Sequence, residues 1–247
     1  MKSYDIMFLG LLVFASMAGA KDVTIDPVNY GSITQKNFDD FVLDMGSIVS
    51  FTPMAPAKTL GVLGLDVSAD LIVSDLANSD SWKYLMEDND SADVWTAGRL
   101  HVQKGLPWQF DVGGMLLVLP DSNVTAWGLE LKKGIIEDGA LLPLPAISAR
   151  GSYSRMEGVD NIGLETYSLD LLASKDFLMF TPYLGLSYLH IKGSTDSTLL
   201  SGINDVDRSD VRTLGGLQWC PFPLCVVDLE LVLGEVTQYG LKAGLRF

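Results

Sequence analysis

The sequence predicts an all-β protein: a transmembrane antiparallel up-and-down β-barrel of about 10 strands (8 or 12 fit the same pattern), with a short N-terminal amphipathic helix. Three observations predict it. From Leu60 onward apolar and polar residues alternate with a period of two, the rhythm of a strand with one oily face and one wet face. The alternating segments reach the ~9–11 residues that a tilted membrane strand requires. The last of them, Tyr239-Gly240-Leu241-Lys242-Ala243-Gly244-Leu245-Arg246-Phe247, keeps the alternation and closes on an aromatic, as suits a strand that finishes at a membrane interface.

Residues 1–20 read as a secretory signal peptide. Lys2 gives a positive start, residues 6–14 are apolar, and Ala18-Gly19-Ala20 is a small-residue cleavage site ahead of Lys21. The apolar run is shorter than the ~20 residues of a spanning helix, and no Cys follows the cleavage site. Residues 21–57 form a separate N-terminal segment. Phe38, Phe41, Val42, Met45, Ile48 and Val49 recur at helical spacing opposite Asp39, Asp40 and Asp44. With Thr34 as N-cap they predict a helix over residues 35–48, expected on the rim of the barrel. A strand starting near Gly46, a plug inside the bore and a periplasmic lid are the alternatives.

The barrel spans residues 58–247. Strands are predicted at 60–74, 94–104, 107–118, 124–134, 145–155, 163–174, 178–191, 209–219, 224–233 and 237–247. If the first strand runs outward, the longest connections, 75–93 and 192–208, lie outside and the tight ones lie in the periplasm, as in barrels of this kind. Connection 135–144 is longer than that scheme wants. Trp95, Trp108, Trp127, Tyr153, Tyr167, Trp219, Tyr239 and Phe247 fall near strand ends, where an interfacial girdle belongs. They weigh against a soluble β-sandwich, which would also alternate.

Composition narrows the function. The net charge is −14, which argues against nucleic acid as a partner because phosphates call for Lys and Arg. Charged residues make up only 19% and hydrophobic residues 48%, with 24 glycines, a balance suited to a barrel with a lipid-facing exterior. Cys220 and Cys225, in an oxidising compartment and separated by a Pro-Phe-Pro-Leu bend, are a possible disulfide. Their spacing is poor for zinc.

His101-Val102-Gln103-Lys104-Gly105-Leu106-Pro107, Ala149-Arg150-Gly151-Ser152-Tyr153-Ser154-Arg155, Phe180-Thr181-Pro182-Tyr183 and the closing Gly244-Leu245-Arg246-Phe247 resemble a family of hypothetical Gram-negative outer-membrane β-barrel proteins. The likeness covers most of the chain after residue 20. It implies a bacterial outer-membrane location and contact with membrane lipid and lipopolysaccharide. It implies no catalytic or binding residue. The closing strand also resembles the C-terminal signature of such barrels, so Tyr239, Leu241, Leu245 and Phe247 are the candidate signal for the outer-membrane assembly machinery.

Chemistry is sought inside. If the odd residues of the last strand face lipid, the even ones face the lumen. Carried along the strands, that parity brings in the acids Asp66, Asp70, Asp111, Glu130, Asp170, Asp228 and Glu230, and the bases Arg99, Lys132, Arg150, Arg212, Lys242 and Arg246, with His101. Charges in a confined space of low dielectric must pair, and the near balance of signs permits it. The leading expectation is a narrow channel or small-solute-binding barrel whose selectivity these residues set. The alternative is a closed structural or surface-interaction barrel that displays acidic outer loops. Glu87, Asp88 and Asp90 are a weak surface cation loop, lacking the Gly and spacing of an EF-hand. With only His101 and His190 available and no nucleophile motif beside them, an enzyme is not expected. No cofactor is implied.

Overall fold

The computed structural model describes residues 22–23, 33–76, 78–85, 93–138, 144–196 and 202–247. Ten strands form one closed antiparallel barrel: β1 (Leu65–Asp75), β2 (Val94–Leu106), β3 (Phe110–Val118), β4 (Thr125–Ile136), β5 (Ala146–Glu157), β6 (Ile162–Ser174), β7 (Phe180–Thr195), β8 (Val206–Trp219), β9 (Cys225–Leu233) and β10 (Thr237–Arg246). Each strand pairs with its neighbour in sequence, and β10 returns to β1 from Asp66↔Arg246 to Asp75↔Thr237. Closure leaves no unpaired edge, the condition for a sheet to sit in lipid.

The faces follow the predicted parity. Along β7, Thr181, Tyr183, Ser187, Leu189 and Ile191 are buried, while Phe180, Pro182, Leu184, Leu186 and Tyr188 are exposed. The outward apolar run from Phe180 to Tyr188 covers roughly 26 Å of strand at ~3.3 Å per residue, or about 20 Å of height at a tilt of ~40°. Leu100, Leu116, Leu129, Leu169 and Leu229 continue this belt around the barrel. Tyr239, Leu241, Leu245 and Phe247 are also exposed on the outside.

Two mouths differ. At the mouth where β1 begins and β10 ends, the terminal mouth, the connections are 107–109, 137–145, 175–179 and 220–224. The opposite, loop mouth carries 76–93, 119–124, 158–161, 196–205 and 234–236. The first strand starts later than the sequence predicts, because residues 60–64 are still leaving the bore. Gly61 takes φ 75° there, a left-handed turn that glycine enters without a side-chain penalty.

The N-terminal segment supplies the core. Helix α1 (Gln35–Val49) starts at Thr34, whose Oγ1 accepts from the Asn37 backbone N–H while Asn37 answers the cap's own N–H, a capping box. The expectation of a rim position is overturned. Phe38, Phe41, Val42, Met45 and Val49 are fully buried among Trp95, Leu117, Met156, Leu164, Leu189 and Ile191 of the inner wall. Two of the three acids opposite are enclosed too: Asp44 is 0% and Asp40 9% exposed, while the partly exposed Asp39 pairs with Arg208. Charge patterning suggested a surface helix because it could not show that a loop would cover the acids. Helix α2 (Ser79–Trp82) and its flank do so, with Asn37 donating to the Ser81 carbonyl, Ser81 to Asp40, and Asn78 to Asp44 at 3.4 Å.

Candidate functional site

The bore is the candidate site, and the chain's own N-terminal segment fills it. After α1 the chain runs through the bore without regular secondary structure, turning at Met54, which takes φ 40°. Phe51, Thr52, Met54, Ala55 and Ala57 are buried. At Leu60 the backbone N–H meets both Asp111 carboxylate oxygens, at 3.1 and 3.2 Å, and the chain leaves at the terminal mouth to begin β1. Residues 35–60 are thus a plug that passes from one mouth to the other.

An irregular peptide in a closed bore carries N–H and C=O groups that must find partners. The wall provides them, and largely with the ionisable residues that parity sent inward. Gln238 donates to the Ser47 carbonyl at 3.1 Å and Ser154 to that of Val49 at 2.8 Å. Arg150 Nη2 donates to the Phe51 carbonyl at 2.7 Å, and Arg99 Nη1 to that of Thr52 at 3.1 Å. Glu230 accepts from the Met54 N–H at 3.0 Å. Lys132 donates to the carbonyls of Pro56 and Lys58 at 3.3 and 3.2 Å. Arg212 reaches Ser50 Oγ at 2.9 Å and Ser187 Oγ at 3.2 Å.

The same residues neutralise one another. Arg99 pairs with Asp70 at 2.6 Å, Lys132 with Asp111 at 3.1 Å, His101 with Glu130 at 2.9 Å, and Arg150 bridges Glu130 and Asp170. Lys242 lies 3.2 Å from Asp66 and 4.0 Å from Asp228, and Arg246 binds Asp66 at 2.8 Å. Gln218 completes Asp228 at 2.8 Å. Every candidate lumen residue therefore faces inward, and the structure gathers them into several ion-paired clusters around the plug, with Arg212 and Glu230 held by plug and wall hydrogen bonds instead. Phe51 lies among them. Its ring lies edge-on to His101 at 5.0 Å and beneath the guanidinium groups of Arg99 and Arg150 at 5.3 and 4.8 Å, a doubly cationic cage.

The residues that sequence reading missed are those of the plug: Phe51, Thr52, Met54 and Pro56. One signal pointed to them, an inward row rich in charge that calls for polar partners. One further expectation fails. Cys220 and Cys225 are free thiols. Cys220 continues the inward parity of Gln218, 3.9 Å from its Oε1, whereas Cys225 opens the outward row of β9. Thiols on opposite faces of a sheet do not bridge. His190 faces out and contacts Ser209 at 3.2 Å and Asp207 at 3.4 Å, while Ser187 points into the bore. Glu87, Asp88 and Asp90 lie outside the described residues, as do residues 1–20. Among the described residues no cluster of His, Cys, Asp or Glu has the makings of a metal site.

No family model and no curated protein matches the chain. Solved structures similar to it include KdgM porin, at 11% identity over 75% of this chain and 99% of that one, TM-score 0.36. The outer membrane protein Ail of Yersinia pestis in a phospholipid bilayer nanodisc shares 16% identity over 74% of this chain and 99% of its own, TM-score 0.34. The translocator domain of autotransporter NalP from Neisseria meningitidis shares 12% identity over 92% and 99%, TM-score 0.40. No residue role is carried over from them; the barrel rests on this chain's own strand pairing.

Proposed function

We propose that this protein is a closed β-barrel of the bacterial outer membrane, sealed by its own N-terminal segment, with its working surface at the loop mouth. One observation carries the reading: residues 35–60 thread the bore, and the wall's charges are engaged with the plug and with each other rather than with a water path. The apolar belt supports a membrane setting. The longest connections support the loop mouth as the outer one, which puts the terminal mouth in the periplasm. The alternative drawn from the sequence, a structural or surface-interaction barrel, thereby moves ahead of the narrow channel. The lumen residues hold a plug instead of selecting ions, and Asp75, Asp80, Asp93, Asp196, Asp205 and Asp207 give the outer rim its negative charge. The partner suited to such a rim is a cationic or divalent-cation-bridged surface.

Planar-bilayer recordings test this directly. Purified full-length protein is expected to insert without stepwise current. Reproducible unitary conductance from the unmodified chain would reject the closed reading and restore the channel.

A further inference from the structure

Plug and wall do not meet completely at the terminal mouth. A cavity of about 300 Å³ lies between them, lined by Pro56 and Lys58 of the plug, by Gln103, Lys132, Gln218 and Arg246 of the wall, and by Asp176 of the turn after β6. That volume is at the lower end of the range for small-molecule sites. Lys58 is half-exposed at its edge, so the cavity opens toward solvent at this end.

Charge in the cavity runs against the rest of the chain. The protein carries −14 overall, yet this lining holds the cations Lys58, Lys132 and Arg246 against the single carboxylate of Asp176. Asp111 and Asp66, which neutralise Lys132 and Arg246, belong to the wall and do not line the cavity. Lys58 pairs with Asp176 at 2.5 Å, but an exposed pair of this kind is worth only ~0–1 kcal/mol, so a competing anion can draw the ammonium away. Arg246 commits Nε and Nη2 to Asp66 and Nη1 to Gln218, which leaves N–H groups over from the guanidinium fork. A neutral feature points the same way. Gln103 is 2% exposed, and its Oε1 has no hydrogen-bond partner among the described residues. A buried acceptor left alone is costly, and this one borders the cavity. A ligand hydroxyl placed there removes the penalty.

We infer that the terminal mouth holds a binding site for a small hydroxylated anion, its charged group between Lys58 and Arg246 and a hydroxyl donating to Gln103 Oε1. A sugar phosphate and a sugar-sized hydroxy acid share that chemistry. The site rests on the plug lying in the bore but not on a complete seal: a barrel that conducts past a seated plug would overturn the closed reading and leave this one standing.

The test is calorimetric titration of the full-length barrel in detergent micelles with glucose 6-phosphate, inorganic phosphate and glucose. Glucose 6-phosphate is expected to saturate and to bind at least about tenfold tighter than either half-molecule, a difference of ~1.4 kcal/mol. Gluconate in its place shows whether phosphate or carboxylate is preferred, and binding of either supports the site. Lys58→Gln, at a half-exposed position, and Gln103→Leu should each weaken binding about tenfold. In Cys225→Ser protein, glucose 6-phosphate should slow alkylation of Cys220, which also borders the cavity. The inference fails if neither glucose 6-phosphate nor gluconate saturates at 10 mM, if Lys58→Gln binds like the parent, or if Cys220 alkylates at the same rate with and without ligand. Equal affinity for inorganic phosphate and glucose 6-phosphate, or unchanged binding by Gln103→Leu, removes the hydroxyl contact.

Discussion

Arg150 touches three chemically different partners: the carboxylates of Glu130 and Asp170, the Phe51 carbonyl and the Phe51 ring. Removing it strands the buried Asp170 carboxylate, leaves Glu130 with His101 alone and leaves the Phe51 carbonyl with the Ser152 hydroxyl alone. Breaking a buried pair by deleting one member costs roughly 3–5 kcal/mol, so Arg150→Met is expected to lose at least that much in reversible urea unfolding from micelles. A loss below ~1 kcal/mol would show that the two acids are satisfied without it. The inward position of Arg150 was legible from parity alone, since a period of two fixes the face of every strand residue. Its partner on the plug was not, because no periodicity links Phe51 to a residue about a hundred positions away. The free cysteines follow the same parity rule: Cys220 falls on the inner row and Cys225 on the outer one, and the Pro-Phe-Pro-Leu bend drew attention away from that.

Helix α1 approaches the wall through two glycines. A Cβ on Gly193 of β7 would lie 2.2 Å from Val42 Cγ2, and one on Gly46 of the helix 2.4 Å from Ile191 Cγ2. Gly193→Val drives methyl groups into that contact, and overpacking of this kind costs typically ~1–3 kcal/mol. The strain should fall on the helix, which is held by packing, rather than on the hydrogen-bonded strand. Faster amide exchange in residues 35–49 with unchanged exchange in β7 is the expected signature. At the terminal mouth, Lys175 and the Asp176 N–H both donate to Asp138. These bonds hold its carboxyl below the ordinary value of 3.8, the lysine hydrogen bond foremost. A depressed carboxylate contributes stability above its unfolded value and loses it as pH falls through the folded one. The clasp is therefore expected to be intact at neutral pH and to open only as pH falls through that lowered value, below 3.8. Carboxyl NMR should place the Asp138 midpoint below 3.8, and Lys175→Ala should move it upward. Strand and helix limits were readable to within a few residues because alternation and the Thr34 cap are local signals. The start of β1 was the exception, since residues 60–64 carry strand-like residues along a path decided by the exit from the bore.

The whole chain has a direction through the barrel. Asn123, in a connection at the loop mouth, holds Val23 by paired hydrogen bonds of 2.9 and 3.0 Å, and Gln35 exchanges bonds with Asn204 at the same mouth. From there the plug descends to Asp111 at the other end. With the loop mouth outermost, an epitope inserted between Lys21 and Asp22 is expected to bind antibody on intact cells, whereas one inserted at Leu178, the exposed tip of the turn after β6, should need permeabilised cells. The reverse pattern would invert the proposed orientation. Fold class, strand number and inner row were written in the alternation of residues. The occupancy of the bore was not, because the helix shows the same spacing of apolar residues whether its acidic side meets water or a covering loop.

The plug is continuous with β1 through Gly61 and Gly64, whose backbones bond at 3.0 Å, and Lys104 clamps that bend through the carbonyls of Val62 and Gly64. This tether restricts how the molecule can be put together. A cylinder already complete could take in residues 35–60 only if everything ahead of them were hauled up a shaft that those residues themselves fill. The economical order is the opposite one: the sheet curls around a chain lying against its concave side, and the β1–β10 seam zips last, with its contents in place.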